Sequence, residues 1–134
     1  MNPPNPVVAL VENDLPTNRA FARLLRAHGF TVEAYVSAEL LLGRAGPASL
    51  DCLLLDIDLD GMSGLELQQL LRRQGVGVPV IFVTGRDDQA ARVRAHEIGC
   101  SAFLNKPVKG EVLVEAIRAA IAGSRGPPAF TEPS

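Results

Sequence analysis

Five short apolar runs, Val7 to Val11, Thr31 to Val36, Cys52 to Leu55, Val80 to Val83 and Ala102 to Leu104, alternate along the chain with five stretches of helical periodicity. The runs are too short for buried helices, and four of them carry no polar residue. Such strands are covered on both faces, as in a parallel sheet sandwiched between helices. The run at Thr31 differs, because Val32, Ala34 and Val36 alternate with Thr31, Glu33 and Tyr35. Period-2 alternation predicts an edge strand with one wetter face.

The intervening stretches supply the helices. Phe21, Leu24, Leu25 and His28 stand at i, i+3, i+4 and i+7, with Gly29 as the stop. Ser37 caps a short helix through Leu42. Ser63 and Glu66 form a capping box opening a helix with Leu67, Leu70 and Leu71 on one face, closed by Gly75 and Gly77. Asp87 or Asp88 starts the next, with Ala91, Ala95 and Ile98 at helical spacing before Gly99. The last carries Leu113, Ala116, Ile117, Ala120 and Ile121 on its buried side. Strands alternating with helices, joined by right-handed crossovers, predict a parallel doubly wound α/β sheet. At 134 residues the chain accommodates one such domain and no catalytic cap or effector domain beside it.

Ligands of these sheets sit at the carboxyl ends of the central strands, beside the point where strand order reverses. Those ends read Glu12, Asn13 and Asp14 after the first strand, Asp56 after the third, Thr84 after the fourth, and Lys106 with Pro107 past the fifth. The segment LLLDIDLDGMSG, residues 53–64, has three readings in isolation: a calcium loop, a phosphatase nucleophile motif, or an aspartate that accepts a phosphoryl group. The calcium loop fails on register, since the bidentate glutamate due twelfth from Asp56 is Leu67 and Glu66 comes one residue early. The haloacid-dehalogenase-like phosphatase reading is helped by Thr84 and Lys106. It lacks an acidic motif after Lys106 and leaves Glu12, Asn13 and Asp14 without a role.

The stretches VENDLPTNRAFARLL, LLLDIDLDGMSG followed by LEL, PVIFVTG and SAFLNKP, in this order, resemble the receiver domain of two-component response regulators. The resemblance covers roughly Val7 to Ala122. It implies a flavodoxin-like five-stranded parallel sheet of order 2-1-3-4-5 with five helices. It implies that a sensor histidine kinase or phosphotransfer protein phosphorylates Asp56, with Mg2+ or Mn2+ held by Glu12, Asn13 and Asp56. On the same resemblance, Lys106 and Thr84 would contact the phosphoryl oxygens. Thr84 and Phe103 would act as the switch, Phe103 turning from exposed to buried, and the fourth helix, fifth strand and fifth helix would form the output face. That face would serve a downstream effector or a homodimer. Pro107 would occupy the family's cis-proline position. Such a domain catalyses only its own phosphorylation and dephosphorylation, and an unphosphorylated receiver-like binding module is the alternative.

Three positions depart from the family's pattern. Asn13 stands where a second acid is usual. One charge fewer matters where two unit charges ~4 Å apart interact by about 4 kcal/mol at an effective dielectric of about 20. Weaker magnesium binding is expected. Asp58 has two readings: a carboxylate that partly restores the missing charge at the metal, or a partner of Arg86 across the pocket mouth, tuning access. Asp60, where proline is frequent, reads as a solvated loop acid near a helix N-terminus.

Apolar residues make up 47% and the formal net charge is -2, so the chain carries no basic footprint for nucleic acid. No run approaches membrane-span length, and Cys52 and Cys100 lack C-x-x-C spacing; reduced structural thiols and a cytoplasmic setting are expected. His28 reads as a partly buried packing residue and His96 as a solvated one, neither with a Cys or His neighbour at metal-site spacing. Residues 1–6 read as a flexible arm, 7–122 as the receiver, and 123–134 as a flexible tail or linker. The best-matching stretches resemble receivers that precede a LuxR-type DNA-binding helix-turn-helix. A stand-alone receiver and a receiver from a longer regulator both fit.

Overall fold

The computed structural model describes residues 5–86 and 88–124. Most of the expected arm and tail, and Asp87, lie outside the described residues. The chain runs β1 (Val7–Val11), α1 (Leu15–Ala27), β2 (Thr31–Tyr35), α2 (Ala38–Leu42), a 3-10 turn (Pro47–Ser49), β3 (Cys52–Leu55), α3 (Gly64–Arg73), β4 (Val80–Thr84), α4 (Gln89–Ile98), β5 (Ala102–Asn105) and α5 (Gly110–Ser124). All strand pairs are parallel, in the order β2-β1-β3-β4-β5. The order reverses at β1, which opens a crevice between β1 and β3.

Alternation along each strand builds two cores. Val8, Leu10, Leu54, Ile81 and Val83 face α1 and α5, where they meet Leu25, Leu113 and Ile117. Val11, Leu53, Leu55, Val80 and Phe82 face the other way, onto Leu41, Leu67, Leu71, Ala91 and Ala95 of α2, α3 and α4. Each fully buried leucine contributes roughly 1.5–3 kcal/mol. The central strands are therefore held from both sides, and their carboxyl ends emerge at one rim.

Helix starts are locally encoded. The Asp14, Ser37, Ser63 and Asp88 side chains accept N–H groups of the first turns of α1, α2, α3 and α4, and Ser63 with Glu66 completes the capping box. Such caps contribute about 1 kcal/mol each.

Three sequence expectations need correction. The buried stripe of α1 is Asn18, Ala22 and Leu25, with Phe21 and Leu24 only half-buried and His28 exposed at the C-cap. His28 lies past the last residue of the helix, where α1 no longer covers the sheet. Of the apolar set on β2, only Val32 is buried; Ala34 opens into a groove beside α1 and Val36 lies beyond the strand, 38% exposed. An edge strand is covered on one side by a single helix, and the opposite face of β2 holds a polar cluster. There Arg44 binds both oxygens of Glu33, and the Tyr35 hydroxyl donates to Glu33 Oε1 at 2.7 Å. Finally, α5 continues to Ser124, past the expected boundary at residue 122, and Pro6 of the expected arm accepts the Thr31 N–H at 2.9 Å.

Candidate functional site

The rim at the strand ends gathers the charged residues. The Asp56 N–H donates to the Val11 carbonyl at 3.0 Å, continuing the β1–β3 ladder one step and aiming the side chain into the crevice. Lys106 Nζ donates to Asp56 Oδ2 at 2.9 Å and to Glu12 Oε1 at 2.6 Å. Asp56 Oδ1 accepts the Asp58 N–H at 3.0 Å, and Glu12 Oε2 accepts the Asp14 N–H at 3.0 Å. Glu12 is 2% exposed and Asp56 6%, so both carboxylates are largely withdrawn from water.

Burial pushes the Glu12 carboxyl above its ordinary value, against the pull of the Lys106 hydrogen bond. For Lys106, burial works to lower the pKa, but the hydrogen bonds to Glu12 and Asp56 prevail and hold the ammonium above its ordinary range. Two carboxylates against one ammonium leave the trio with a charge of -1. That surplus, on the carboxylate oxygens of Glu12 and Asp56, suits a hard divalent cation. Among the described residues, no three His, Cys, Asp or Glu side chains form a metal cluster. Asn13 follows Glu12 directly in the chain and is half-buried, so an oxygen donor at that position would be a neutral amide rather than an acid.

Thr84 is 1% exposed; its hydroxyl accepts the Arg86 N–H at 3.3 Å, and its carbonyl accepts the Lys106 N–H at 2.8 Å. Thr84 and Lys106 are thus joined through backbone. The Lys106–Pro107 peptide bond is cis. The Asp58 carboxylate pairs with Arg86 Nη1 at 3.2 Å, and Arg86 Nη2 lies 3.8 Å from Asp88. These side chains line a groove of about 270 Å³ with Ile57, Leu59, Leu65 and Thr84. Asp60 is exposed in the loop, and Asp14 serves as the α1 cap.

Phe103 is not in the exposed position from which a turn inward was expected. It is 7% exposed, packed against Phe82 with ring centroids 6.0 Å apart and covered by the Arg92 guanidinium at 4.6 Å. His96 is exposed, but its Nδ1 lies 3.7 Å from Cys100 Sγ, a neighbour at i+4 that the spacing argument overlooked. Burial pushes the Cys100 thiol up, and the Cys52 thiol up to about 12, so both resist ionisation.

Further residues complete the rim. Asn18 Nδ2 donates to the carbonyls of Glu12 at 2.9 Å and Tyr35 at 3.0 Å, fixing the backbone that presents Glu12. An asparagine inside a helix is intrinsically unfavourable, and that was its signal. Gly64 is required by close approach, because a Cβ there would stand 2.2 Å from the Asp56 carbonyl oxygen. Arg92 and Asn105, bonded to each other at 2.6 Å, had no sequence signal.

A parallel sheet of order 2-1-3-4-5 with an acid–lysine cluster at its switch point defines a flavodoxin-like α/β domain with a polar site at the strand ends. A profile of the response regulator receiver domain matches residues 8–118. The chain belongs to that family. Nodulation protein W of Bradyrhizobium diazoefficiens is 39% identical over 114 residues, 85% of this chain and 50% of that protein. The response regulator protein TodT of Pseudomonas putida is 35% identical over 115 residues, 86% and 51% respectively. The chain spans about half the length of these curated relatives. A CheY-like receiver domain protein of Methanospirillum hungatei JF-1 superposes with a TM-score of 0.84 at 25% identity, covering 90% of this chain and 97% of that one. No helix among the described residues is long and apolar enough to cross a membrane.

Proposed function

We propose that Asp56 accepts a phosphoryl group from a phosphohistidine of a sensor histidine kinase or phosphotransfer protein. The reading rests on one observation above all: the Lys106 ammonium bridges the buried carboxylates of Glu12 and Asp56 at the switch point of the sheet. In the transfer, an Asp56 oxygen forms a bond to phosphorus as the phosphorus–nitrogen bond of the donor breaks, giving a mixed anhydride and a free imidazole. An anion attacking an anion needs positive charge held in place. Lys106 supplies it from one side and is in position to contact a phosphoryl oxygen, while the Thr84 hydroxyl serves another. Glu12, Asn13, Asp56 and the backbone at Asp58 would hold Mg2+ or Mn2+, whose charge offsets that of the incoming group.

The added charge then biases the packing of α4, β5 and α5 through Thr84 and Phe103, and that face controls an effector protein or domain or pairs with a second copy. Asp58 and Arg86 across the mouth tune access of water and partner. The matched region makes up only 50% of a nodulation protein and 51% of a response regulator, which supports an output beyond the phosphorylated domain.

Incubation with acetyl phosphate and magnesium, read by intact mass, tests the reading. A stoichiometric labile adduct is expected on the wild type and none on Asp56→Asn. An adduct that persists in the variant refutes the site. Sustained turnover of p-nitrophenyl phosphate would favour a phosphatase instead, and no spectral response to beryllofluoride with magnesium would favour the unphosphorylated binding module.

A further inference from the structure

The Arg92 side chain makes three contacts with β5. Its guanidinium carbon lies 4.6 Å above the centre of the Phe103 ring, Nη1 donates to the Phe103 carbonyl at 3.4 Å, and Nη2 donates to Asn105 Oδ1 at 2.6 Å. The ring is closed in from the other side by Phe82. A planar guanidinium can stack on an aromatic face and donate along its edges at the same time, which an ammonium cannot do.

Asn105 extends the contact toward the acceptor. Its Nδ2 donates to the Arg86 carbonyl at 3.1 Å, Arg86 Nη1 donates to Asp58 Oδ1 at 3.2 Å, and the Asp58 N–H donates to Asp56 Oδ1 at 3.0 Å. Every step from the Asp56 carboxylate to α4 is therefore a hydrogen bond or a single residue's own covalent frame. None of these links passes through Thr84.

We propose that Arg92 is a positioning residue that holds Phe103 in its buried place and, through Asn105 and Arg86, couples that place to the rim of the Asp56 site. Only the meaning of the last link depends on Asp56 being the phosphoryl acceptor. The two parts of the claim are physical: α4 clamps the ring of β5, and a change at Asp58 reaches the ring by way of Asn105.

Fluorine NMR of the full chain labelled with 4-fluorophenylalanine tests both parts. The chain has five phenylalanines, and Phe103→Leu assigns the Phe103 signal by its loss. In the wild type, a soluble paramagnetic probe should broaden the Phe103 signal as little as that of Phe82. Arg92→Ala should raise that broadening severalfold while the Phe30 signal, from the opposite core, stays in place, and Arg92→Lys should fall between. If Arg92→Ala moves the Phe30 signal too, the clamp is read from Asn105→Ala, which should raise the broadening in part. Unchanged Phe103 broadening in the folded variants overturns the clamp. For the coupling, Asp58→Asn should shift the Phe103 signal in the wild-type background and fail to shift it in Asn105→Ala. An equal shift in both backgrounds overturns the relay. No phosphoryl group enters these measurements, so their failure is separate from failure of the Asp56→Asn mass experiment.

Discussion

Glu12 and Lys106, 94 residues apart in sequence, meet at 2.6 Å, and the same ammonium reaches Asp56 at 2.9 Å. Strands β1 and β5 are separated in the sheet by β3 and β4, so only the loops at the strand ends can bring the two residues together. The contact places a cation between two carboxylates where water is scarce. Its consequences for charge, stability and chemistry are open to measurement.

Replacing Lys106 with Met should leave Glu12 and Asp56 facing each other without a cation. Breaking a fully buried pair costs about 3–5 kcal/mol. Lys106 keeps 24% of its side chain exposed, so a loss of about 1–3 kcal/mol is expected from urea denaturation. Formation of the acetyl phosphate adduct should slow on the order of 100-fold, as when one stabilising donor is deleted from a transition state.

The pH dependence follows from the raised Lys106 pKa, whose ordinary value is 10.5. Its folded value lies above its unfolded one, so its contribution to stability is fully present below about pH 10.5 and is lost as pH rises through the folded value. The Tyr35 hydroxyl, raised by burial and by Glu33, acts in the same direction, so the comparison needs the Lys106→Met variant. Wild-type urea midpoints should fall more steeply than those of Lys106→Met above about pH 10.5. Parallel curves would show that the ammonium gains nothing from its partners.

Asn13→Asp should tighten magnesium binding by about tenfold, or about 1.4 kcal/mol. The interaction of about 4 kcal/mol at an effective dielectric of about 20 is reduced further by solvent and relaxation. Isothermal titration calorimetry on the wild type and the variant reads the ratio. Equal affinities would mean that residue 13 does not face the ion.

Asp58 and Arg86 are exposed, 41% and 68% at their side chains, so their ion pair is worth about 0–1 kcal/mol and its loss should barely move the urea midpoint. Its effect should appear in kinetics instead. Asp58→Asn and Arg86→Ala should each shorten the lifetime of the phosphoaspartate by opening the mouth to water. Lifetimes and magnesium affinities both equal to wild type would eliminate the access role.

Gly64→Ala would set a Cβ 2.2 Å from the Asp56 carbonyl oxygen, against backbone that cannot swing aside. Overpacking costs about 1–3 kcal/mol, and a backbone clash puts this variant at the upper end. Urea denaturation reads that loss. Adduct formation should fall with it, since Asp56 itself must move; a variant of full stability and full activity would contradict the geometry.

Local chemistry was readable along the chain because it depends on near neighbours. The apolar runs are the strands, and Ser37, Ser63 and Asp88 cap the helices they precede, since caps and periodicity are satisfied within a turn or two. The acids, hydroxyl and amine at the strand ends were legible for the same reason. A strand that ends in a charged residue has few places to put it. The burial of β2 and α1 was misjudged where it depended on which partner covers an edge, and the contact between His96 of α4 and Cys100, just past the Gly99 cap, was overlooked.

Only the folded chain decided which distant groups meet. That Arg86 pairs with Asp58, that Asn18 holds the Glu12 backbone, and that Arg92 covers Phe103 depend on angles between elements set by packing of the two cores. A polar side chain on a helix surface looks the same in sequence whether it faces water or another strand's carbonyl. Periodicity determined the layers, and the three-dimensional crossing of strand ends determined the site, because hydrogen bonds select atoms a few ångströms apart without regard to their separation along the chain.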